Sequence, residues 1–200
     1  MTKQVFKLGL TGSIGMGKST TARFFSELGC PVWDADAAVH SLYAKGGAAV
    51  APISAALPDA IEDGAVSRDR LKELIAKDAS VLSKIEKIVH PLVAQDRADF
   101  IKEAASDILV FDIPLLFETG GAAAMDAVVC VSVSPELQKN RVLERGTMTE
   151  DQFEHIRSKQ MPNEKKVALS DYVVETDTLD HARSQVEKIV KTIRGQLDHA

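Results

Sequence analysis

The sequence predicts an α/β fold in which a parallel five-stranded sheet is flanked by helices, with a helical lobe and an Arg-rich lid inserted. The first observation is the order of strand, glycine-rich loop, helix and strand over residues 5–34, which is typical of a βαβ unit and hence of a parallel sheet. The second is a change of composition at about 37–105, where Ala, Lys, Glu and Asp are frequent and recur with helical spacing. The third is a set of later apolar runs, at 108–111, 127–133 and 172–174, which predict the remaining strands.

Length, composition and charge fit a soluble globular protein of one domain. The chain has 200 residues, of which 45% are hydrophobic and 26% are charged, enough to bury a core of its own. Its net charge of -5 gives no overall attraction for nucleic acid or an anionic membrane. No apolar run approaches the roughly 20 residues that span a bilayer, and no basic segment with an apolar run opens the chain. We therefore expect a cytoplasmic protein without nucleic-acid or membrane partners, either a monomer or a weak homo-oligomer.

The amino-terminal elements follow from apolar periodicity and glycine placement. The first strand, at 5–10, leads into the glycine-rich loop, and the helical pattern begins at Lys18. Its apolar residues are one turn apart: Ala22, Phe25 and Leu28. Gly29 stands where the helix should end, because glycine readily adopts the left-handed conformation of a carboxy-terminal cap. Residues 31–33 then predict a short second strand that ends at Asp34.

The lobe at about 37–105 is predicted to consist of several helices, because glycines and a proline interrupt it. Its helical spacing is clearest in Leu71, Leu74 and Ile75, and then in Ile85, Ile88, Val89 and Leu92. After the strand at 127–133, Ser134 and Pro135 provide an N-cap and a first-turn proline for another helix. The apolar side of the last helix contains Val186, Ile189, Val190 and Ile193.

A basic segment precedes the last strand. Its basic residues are Arg141, Arg145, Arg157, Lys159, Lys165 and Lys166. Such a segment can close over phosphates, exclude water and stabilise charge in a transition state; the alternative is a solvated basic helix face. We accordingly divide the single domain into a core at about 1–36, 106–144 and 167–200, a lobe at about 37–105 and a lid at about 145–166.

The glycine-rich loop at 12–19 fits the phosphate-loop pattern of Gly, four residues and Gly-Lys-Ser. Glycines permit positive φ and close approach, so successive backbone N–H groups can point at phosphate oxygens. The helix that begins near Lys18 adds the positive end of its dipole. Lys18 itself supplies a mobile charge for the β- and γ-phosphates, and the Ser19 hydroxyl is placed to bind Mg²⁺. This pattern predicts a P-loop NTPase fold that binds ATP or GTP through Gly12, Ser13, Ile14, Gly15, Met16, Gly17, Lys18, Ser19 and Thr20.

The remaining signals favour a kinase over a switch or a motor. The sequence has neither the Asn-Lys-x-Asp segment with which a GTPase recognises guanine nor the Leu-Ser-Gly-Gly signature of transporters. It does have the basic lid, which could stabilise the transition state of phosphoryl transfer. A nucleotide-dependent binding or switch protein without transfer chemistry is the alternative, and it would use the loop without needing the lid arginines.

Carboxylates follow two of the predicted strands. Asp34 and Asp36 come at the end of the second strand, and in an extended backbone this spacing puts both carboxylates on one face. One could accept the proton of an attacking hydroxyl while the other orients it or holds Mg²⁺ through water; the alternative is an N-cap for the following helix. Asp112 ends the strand at 108–111, where phosphate-loop enzymes keep a magnesium-linked acid, so Ser19 and Asp112 are the candidate metal ligands.

Several motifs, taken in order, resemble those of the dephospho-coenzyme A kinase family, and the similarity runs through nearly the whole chain. The phosphate loop alone is generic, whereas the ordered set with Pro-Leu-Leu-Phe-Glu and Gln-Met-Pro is specific. The matching segments are 10–20, 34–40, 68–71, 90–91, 112–118, 138–141 with Arg145, 157–162 with Lys165, and 170–172.

The resemblance implies that ATP and dephospho-coenzyme A give ADP and coenzyme A by phosphorylation of the ribose 3′-hydroxyl. It implies that Asp36 is the general base, which the spacing alone does not decide. By the same likeness Thr11 and Arg141, together with Lys18, would support the phosphoryl transfer. Arg145 would be a further lid cation at the nucleotide.

The resemblance also assigns the lobe and the segment 114–117 to the acceptor and its pantetheine arm. The residues expected to contact the acceptor are Asp34, Asp36, His90, Leu115, Leu116 and Phe117. The three apolar side chains suit the neutral parts of that ligand but could equally pack the core, and a lone histidine in a helical lobe is more often structural. The family often has an Asn-rich turn after the last strand, where this chain has Val-Glu-Thr-Asp at 174–177, a turn expected to face the adenine.

A kinase of the same fold with another acceptor, such as a nucleoside monophosphate or a small sugar acid, is the main alternative. Arg68, Arg70 and Arg97 could neutralise an acceptor phosphate. A base at Asp36 would help an acceptor hydroxyl, whereas it would repel an acceptor that is already anionic.

Overall fold

The fold is described for residues 5–199 from a computed structural model, and it divides into two compact units. Unit 1 comprises the described residues up to Trp33 together with those from Ala105 onwards, and unit 2 comprises Asp34–Ala104. Unit 2 therefore overlaps the lobe expected at about 37–105. Within residues 5–199, no helix combines the length and the apolarity that crossing a bilayer would require.

The secondary structure alternates between strands and helices in unit 1 and is mainly helical in unit 2. In chain order the strands are β1 (Phe6–Thr11), β2 (Val32–Asp34), β3 (Ile61–Glu62), β4 (Ala65–Val66), β5 (Ile108–Asp112), β6 (Ala127–Ser132) and β7 (Tyr172–Glu175). The α-helices are α1 (Lys18–Glu27), α2 (Ala35–Tyr43), α3 (Val50–Ala56), α4 (Arg68–Lys77), α5 (Ser80–Glu103), α6 (Pro135–Glu144), α7 (Glu150–Lys159), α8 (Asn163–Ala168) and α9 (Leu179–Leu197). Short 3₁₀ turns lie at Pro58–Ala60 and Gly121–Ala124.

The main sheet has five strands in the order β2-β5-β1-β6-β7. Strand β1 pairs in parallel with β5 and β6, and β6 pairs in parallel with β7. In this register Leu8 lies opposite Val110 on one side and Ala127 on the other. Every residue of β5 is buried, because a parallel sheet covered on both faces needs continuous apolar strands rather than alternating ones. The predicted parallel five-stranded sheet with flanking helices is confirmed.

The core of unit 1 lies where α1 and α9 pack on the sheet. Fully buried members of this core are Leu8, Leu10, Phe25, Val131, Val186 and Ile193. Each such side chain contributes about 1.5–3 kcal/mol by leaving water. The apolar face predicted for the last helix therefore packs on the sheet. This packing helps to hold in place the parallel strands, whose carboxyl ends carry polar side chains.

Unit 2 has a core of its own, built around the long helix α5. Its buried members include Ala49, Ile53, Leu57, Ala60, Leu71 and Ile85. The sequence analysis missed the short antiparallel hairpin of β3 and β4. The signal was the Asp63-Gly64 pair, whose φ values of 49° and 80° are those of a tight hairpin turn.

Local capping determines where the helices near the phosphate loop begin. The Ser134 side chain accepts a hydrogen bond from the Leu137 N–H, and α6 starts at Pro135, as predicted. Helix α7 begins with a capping box formed by Thr149 and Gln152. The segment predicted as a lid thus contains α7 and the start of α8.

Candidate active site

The phosphate loop fills the turn between the end of β1 and the start of α1. Gly15 and Gly17 have φ of 77° and 88°, a left-handed conformation that favours glycine. Gly12 is required by space, since a Cβ there would lie 2.2 Å from Val131 Cγ2. These glycines allow the loop to turn onto the amino end of α1, where the unpaired N–H groups and the helix dipole favour an anion.

Side chains from three other elements hold the loop. The Thr176 hydroxyl donates to the Met16 carbonyl oxygen at 2.8 Å. Gln138 Nε2 donates to the Ile14 carbonyl oxygen at 2.7 Å, and the Ile14 N–H donates to Gln160 Oε1 at 3.1 Å. The loop is therefore shaped in advance of any ligand, which lowers the reorganisation that binding requires.

Lys18 and Asp112 form an ion pair at the edge of the sheet. Lys18 Nζ donates to Asp112 Oδ1, and the Asp112 side chain is only 3% exposed. Because β5 ends at Asp112 and α1 begins at Lys18, the parallel sheet brings both residues to the edge where ligands bind in such folds. The acid predicted to hold magnesium thus contacts the lysine predicted to bind phosphate.

Arg141 is fixed by the turn after β7. Its guanidinium donates to the Thr176 hydroxyl at 3.1 Å and to the carbonyl oxygens of Thr176 and Asp177 at 2.5 and 3.3 Å. Arg141 and Thr176 line a cavity of about 370 Å³ together with Gly17 and Thr20 of the loop. The exposed Arg145 lies on the same cavity, one helical turn further along. Both predicted lid cations are therefore beside the phosphate loop.

Thr11 makes a buried contact behind the loop. It is 0% exposed, and its hydroxyl donates to the Pro114 carbonyl oxygen at 3.0 Å. The same oxygen accepts a hydrogen bond from Lys166 Nζ at 3.0 Å. In this structure Thr11 thus holds the segment after β5 and does not face the loop with a free hydroxyl.

Lys166 is a fully buried cation with an acidic partner. Its Nζ lies 2.9 Å from Glu118 Oε1, which also accepts the Met161 N–H at 2.9 Å. Burial alone would raise the pKa of the Glu118 carboxyl, but the hydrogen bonds from Lys166 and from the Met161 backbone hold it below its usual range. This pair joins α8 to the segment after β5.

A second cavity, of about 780 Å³, lies between the phosphate loop, the start of α6 and the lid. Arg157 is on its wall, but its guanidinium pairs with Glu154 at 2.7 Å and lies 5.7 Å from the centre of the Phe153 ring. In the structure Arg157 therefore follows the surface of α7, as expected for a solvated basic face.

The predicted metal ligands are chemically suited to magnesium. The Ser19 hydroxyl and the Asp112 carboxylate offer hard oxygen atoms, and Mg²⁺ typically takes one or two such ligands plus phosphates and waters. Among residues 5–199 no group of three or more His, Cys, Asp or Glu side chains forms a dedicated metal cage. Ser19 and Asp112 therefore fit a magnesium ion whose other ligands are nucleotide phosphates and waters.

Comparison with known proteins decides the family. A family model described as dephospho-CoA kinase matches residues 6–181. The dephospho-CoA kinase of Ruegeria pomeroyi (strain ATCC 700808 / DSM 15171 / DSS-3) is 69% identical, covering 98% of this chain and 99% of that protein. The chain belongs to the dephospho-coenzyme A kinase family. The kinase of that name from Jannaschia sp. (strain CCS1) is 58% identical, over 94% of this chain and 97% of its own.

Solved structures share the fold of this chain. A protein from Thermus thermophilus superposes with a TM-score of 0.84 at 28% identity, over 95% of this chain and 98% of that chain. The dephospho-CoA kinase from Campylobacter jejuni has the same fold, with a TM-score of 0.67 at 21% identity over 95% and 98% of the two chains. The sequence-based predictions of the kinase family and of its part in the last step of coenzyme A synthesis are confirmed. As a kinase, the chain uses ATP.

The structure corrects the prediction for the two aspartates of the second strand. Strand β2 ends at Asp34, and Asp36 already lies in the first turn of α2, so the two do not share the face of an extended strand. Asp34 is the N-cap of that helix: its Oδ1 accepts the N–H groups of Asp36 and Ala37 at 2.8 and 2.9 Å. The capping alternative therefore holds for Asp34, while the Asp36 side chain is exposed.

The residues predicted to contact the acceptor differ in how exposed their side chains are. Leu116 is 0% exposed and packs against Gly9, so here it is a core residue and not a ligand contact. Leu115 is 41% exposed and Phe117 is half-buried, so both remain available. His90 is exposed on α5 of unit 2. A tight turn after β5 puts consecutive apolar side chains in different environments, which composition cannot reveal.

Three further residues of the site, Gln138, Gln160 and Lys166, were not predicted as contacts, and Thr176 was expected only as part of the turn that faces the adenine. Their partners are more than 30 positions away in the sequence, so no local spacing could identify them. The one available signal was the resemblance itself, since Gln160 and Met161 belong to the Gln-Met-Pro motif. Of the two adjacent lysines after it, Lys166 is buried and paired, whereas Lys165 is exposed.

Proposed function

We propose that this chain transfers the γ-phosphoryl group of ATP to the ribose 3′-hydroxyl of dephospho-coenzyme A, giving ADP and coenzyme A. The phosphate loop of unit 1, with Lys18 paired to the buried Asp112, is the observation that carries the proposal. Family membership supports the acceptor. In this reaction the bond from the γ-phosphorus to the bridging oxygen breaks, a bond to the 3′-oxygen forms, and the hydroxyl proton leaves for a base.

The donor would bind in unit 1. Its phosphates would occupy the loop, where the N–H groups at the start of α1 face them. Lys18 would then exchange Asp112 for the β- and γ-phosphates, because the triphosphate offers several anionic oxygens. The cavity of about 370 Å³ at Arg141 and Arg145 is within the size range of small-molecule sites and would take the adenosine part.

Ser19 and Asp112 would hold Mg²⁺ alongside the nucleotide. The ion, when bound, neutralises charge on the β- and γ-phosphate oxygens. Because the Asp112 side chain is almost fully buried, its charge needs a cation beside it, which would be Lys18 before the nucleotide binds and the ion afterwards.

Asp36 would act as the general base for the acceptor. Its carboxylate is exposed, whereas that of Asp34 is engaged by two backbone N–H groups, which also fix the start of α2. The two aspartates would therefore have different roles: Asp34 would position the backbone of Asp36, and Asp36 would accept the proton. Thr11 would contribute by holding Pro114, and with it the segment carrying Leu115 and Phe117.

We also propose a cytoplasmic enzyme that works as a monomer or a weak homo-oligomer. Both cysteines are buried, and burial raises the pKa of Cys30 and of Cys130 to about 11. These thiols therefore remain protonated and unreactive at neutral pH. Unpaired, inert cysteines suit a reducing compartment.

The test is turnover with a panel of acceptors. Purified protein would be incubated with ATP, Mg²⁺ and one acceptor at a time, namely dephospho-coenzyme A, AMP, CMP, adenosine or gluconate, and ADP release would be followed. The variant Asp36→Asn tests the base, and Asp63→Asn is its matched control, because Asp63 is an exposed aspartate on the hairpin turn of the same unit.

We expect turnover with dephospho-coenzyme A alone, lost in Asp36→Asn and kept in Asp63→Asn. Phosphorylation at the 3′-position would be read from the product by phosphorus NMR. Turnover with a monophosphate instead would overturn the proposed acceptor and would leave Asp36 as a first-turn residue of α2 without a role as base.

A further inference from the structure

One residue of the phosphate loop has both of its backbone polar atoms bound by glutamine side chains. The Ile14 N–H donates to Gln160 Oε1 at 3.1 Å, and the Ile14 carbonyl oxygen accepts from Gln138 Nε2 at 2.7 Å. The two glutamines come from different elements. Gln138 lies in α6 and is 3% exposed, whereas Gln160 follows the last residue of α7 and is half-buried.

These two bonds fix the peptide groups on either side of Ile14. The next residue, Gly15, has a φ of 77°, so the chain reverses there before it reaches the N–H groups at the start of α1. A rotation of either of the two peptide groups beside Ile14 would redirect the N–H groups that follow, because they are covalently continuous with both. The orientation of the phosphate-binding N–H groups therefore depends on how firmly Ile14 is held.

The two bonds differ in what their loss would do. Gln138 is buried, so removing it would leave an unsatisfied group inside the protein and would destabilise the fold. Gln160 is partly exposed, and water can satisfy the Ile14 N–H in its absence. Loss of Gln160 would therefore cost little stability but would leave the loop free to rotate at Ile14.

We propose that Gln160 is a positioning residue for ATP, which acts through the Ile14 N–H to orient the phosphate loop. Gln160 immediately follows α7, so its hydrogen bond to Ile14 also connects the lid directly to the phosphate loop. Met161, the next residue, is anchored to Glu118 by its own N–H, which keeps the Gln160 side chain within reach of the loop. The inference rests on the proposed use of ATP at this loop and adds a residue that shapes the site through the loop backbone.

The test compares Gln160→Met, which keeps the length of the side chain but has no strong acceptor, with wild type. We expect the KM for ATP to rise about fivefold, the size of one net hydrogen bond. The KM for dephospho-coenzyme A and the melting temperature should change little. Ser158→Ala, at an exposed residue of the same helix whose hydroxyl bonds only the His155 carbonyl in the described structure, is the control and should match wild type.

A second measurement distinguishes positioning from general loosening. Hydrogen exchange at the Ile14 amide, followed by NMR in the nucleotide-free protein, should accelerate in Gln160→Met and return towards the wild-type rate in Gln160→Glu. Glutamate keeps the acceptor atom at the same reach, so it rescues the bond to Ile14 even though its charge disfavours ATP. Exchange in α9 should be unchanged in both variants.

An unchanged KM for ATP in Gln160→Met would overturn the proposal. A common shift of both KM values with a lowered melting temperature would overturn it too, because that result shows a structural role only. Either result leaves wild-type turnover of dephospho-coenzyme A untouched, so failure of this inference is distinguishable from failure of the proposed function.

Discussion

At the scale of single residues, we propose that Arg141 is held in place to stabilise transition-state charge. Its guanidinium is held by the hydroxyl and carbonyl of Thr176 and by the carbonyl of Asp177. The Thr176 hydroxyl in turn donates to Met16 of the loop. The cation and the phosphate loop are therefore oriented by one threonine, in the turn after β7.

We predict that Arg141→Ala lowers kcat by about 10³-fold, because a cation that stabilises the transferring phosphoryl group is worth that much. The KM for ATP should change far less. Arg141→Lys should rescue only partly, since an ammonium group cannot reproduce the planar fork that bonds three oxygens. Steady-state kinetics with dephospho-coenzyme A measure both effects.

Arg23→Ala is the control for that prediction. Arg23 is an exposed arginine of α1 that pairs with Glu27 across one helical turn, so kcat should stay within about twofold of wild type. A loss of less than about tenfold in Arg141→Ala would show that this arginine binds the nucleotide without stabilising the transition state.

The Glu118–Lys166 pair gives a prediction for stability and pH. Removing the carboxylate in Glu118→Gln leaves a fully buried ammonium group without its anionic partner and should cost about 3–5 kcal/mol at neutral pH. The folded pKa of Glu118 lies below its ordinary value, so its contribution is complete above pH 4.5 and is lost as pH falls through the folded pKa. The difference between variant and wild type should therefore shrink below pH 4.5. Urea unfolding at a series of pH values measures it.

Two further variants make this prediction specific. Glu27→Gln removes a carboxylate that is 42% exposed and should cost less than about 1 kcal/mol. The double variant Glu118→Gln, Lys166→Met should recover part of the loss, because both buried charges are gone. A double variant no more stable than Glu118→Gln would contradict the interpretation as a charge pair.

At the scale of elements, local chemistry predicted most of the strands and helices of unit 1. Continuous apolar runs give parallel strands that are buried on both faces, and Ser134 with Pro135 marks the start of α6 because each satisfies a need of the first helical turn. The phosphate loop could be predicted from the spacing of its glycines, two of which have positive φ. These features depend on residues close together in the sequence.

Features that depend on distant contacts were not predictable in the same way. Asp36 is an exception: Asp34 caps α2 through the N–H groups of Asp36 and Ala37, a local contact that the sequence left open as the alternative, so the strand-face argument for Asp36 was wrong. Leu116 became a core residue because the chain turns after β5 and Gly9 leaves room for its side chain. Gln160 reaches Ile14 across 146 positions, a separation that no periodicity in the sequence can encode.

The lid illustrates how such contacts organise an element. Helix α7 has its own capping box at Thr149, so its start is determined locally. Its other end is determined by tertiary bonds, from Gln160 to the phosphate loop and from the Met161 N–H to Glu118. The helix is therefore fixed locally at its start and by contacts with the phosphate loop and Glu118 just after its end.

At the scale of the whole molecule, the chain has two compact units with separate hydrophobic cores. Unit 1 contains the phosphate loop, Arg141 and the candidate magnesium ligands, while unit 2 contains Asp36 and His90. This division predicts that donor binding and acceptor binding respond differently to damage in one core.

We therefore predict that Ile53→Ala, in the core of unit 2, weakens acceptor use while sparing nucleotide binding. Ile53 is 0% exposed, and replacing it by alanine should lower the free energy of unfolding by about 2–5 kcal/mol. Below the temperature at which the variant unfolds, the dissociation constant of a fluorescent ATP analogue should stay within about twofold of wild type, because the loop belongs to unit 1. The KM for dephospho-coenzyme A should rise.

Leu82→Ala, at a residue of the same unit that is 46% exposed, is the control. It should leave the free energy of unfolding, the nucleotide dissociation constant and the KM for dephospho-coenzyme A nearly unchanged. If the nucleotide dissociation constant rose together with the KM for the acceptor, the donor site would depend on unit 2, and the assignment of the donor site to unit 1 alone would be wrong.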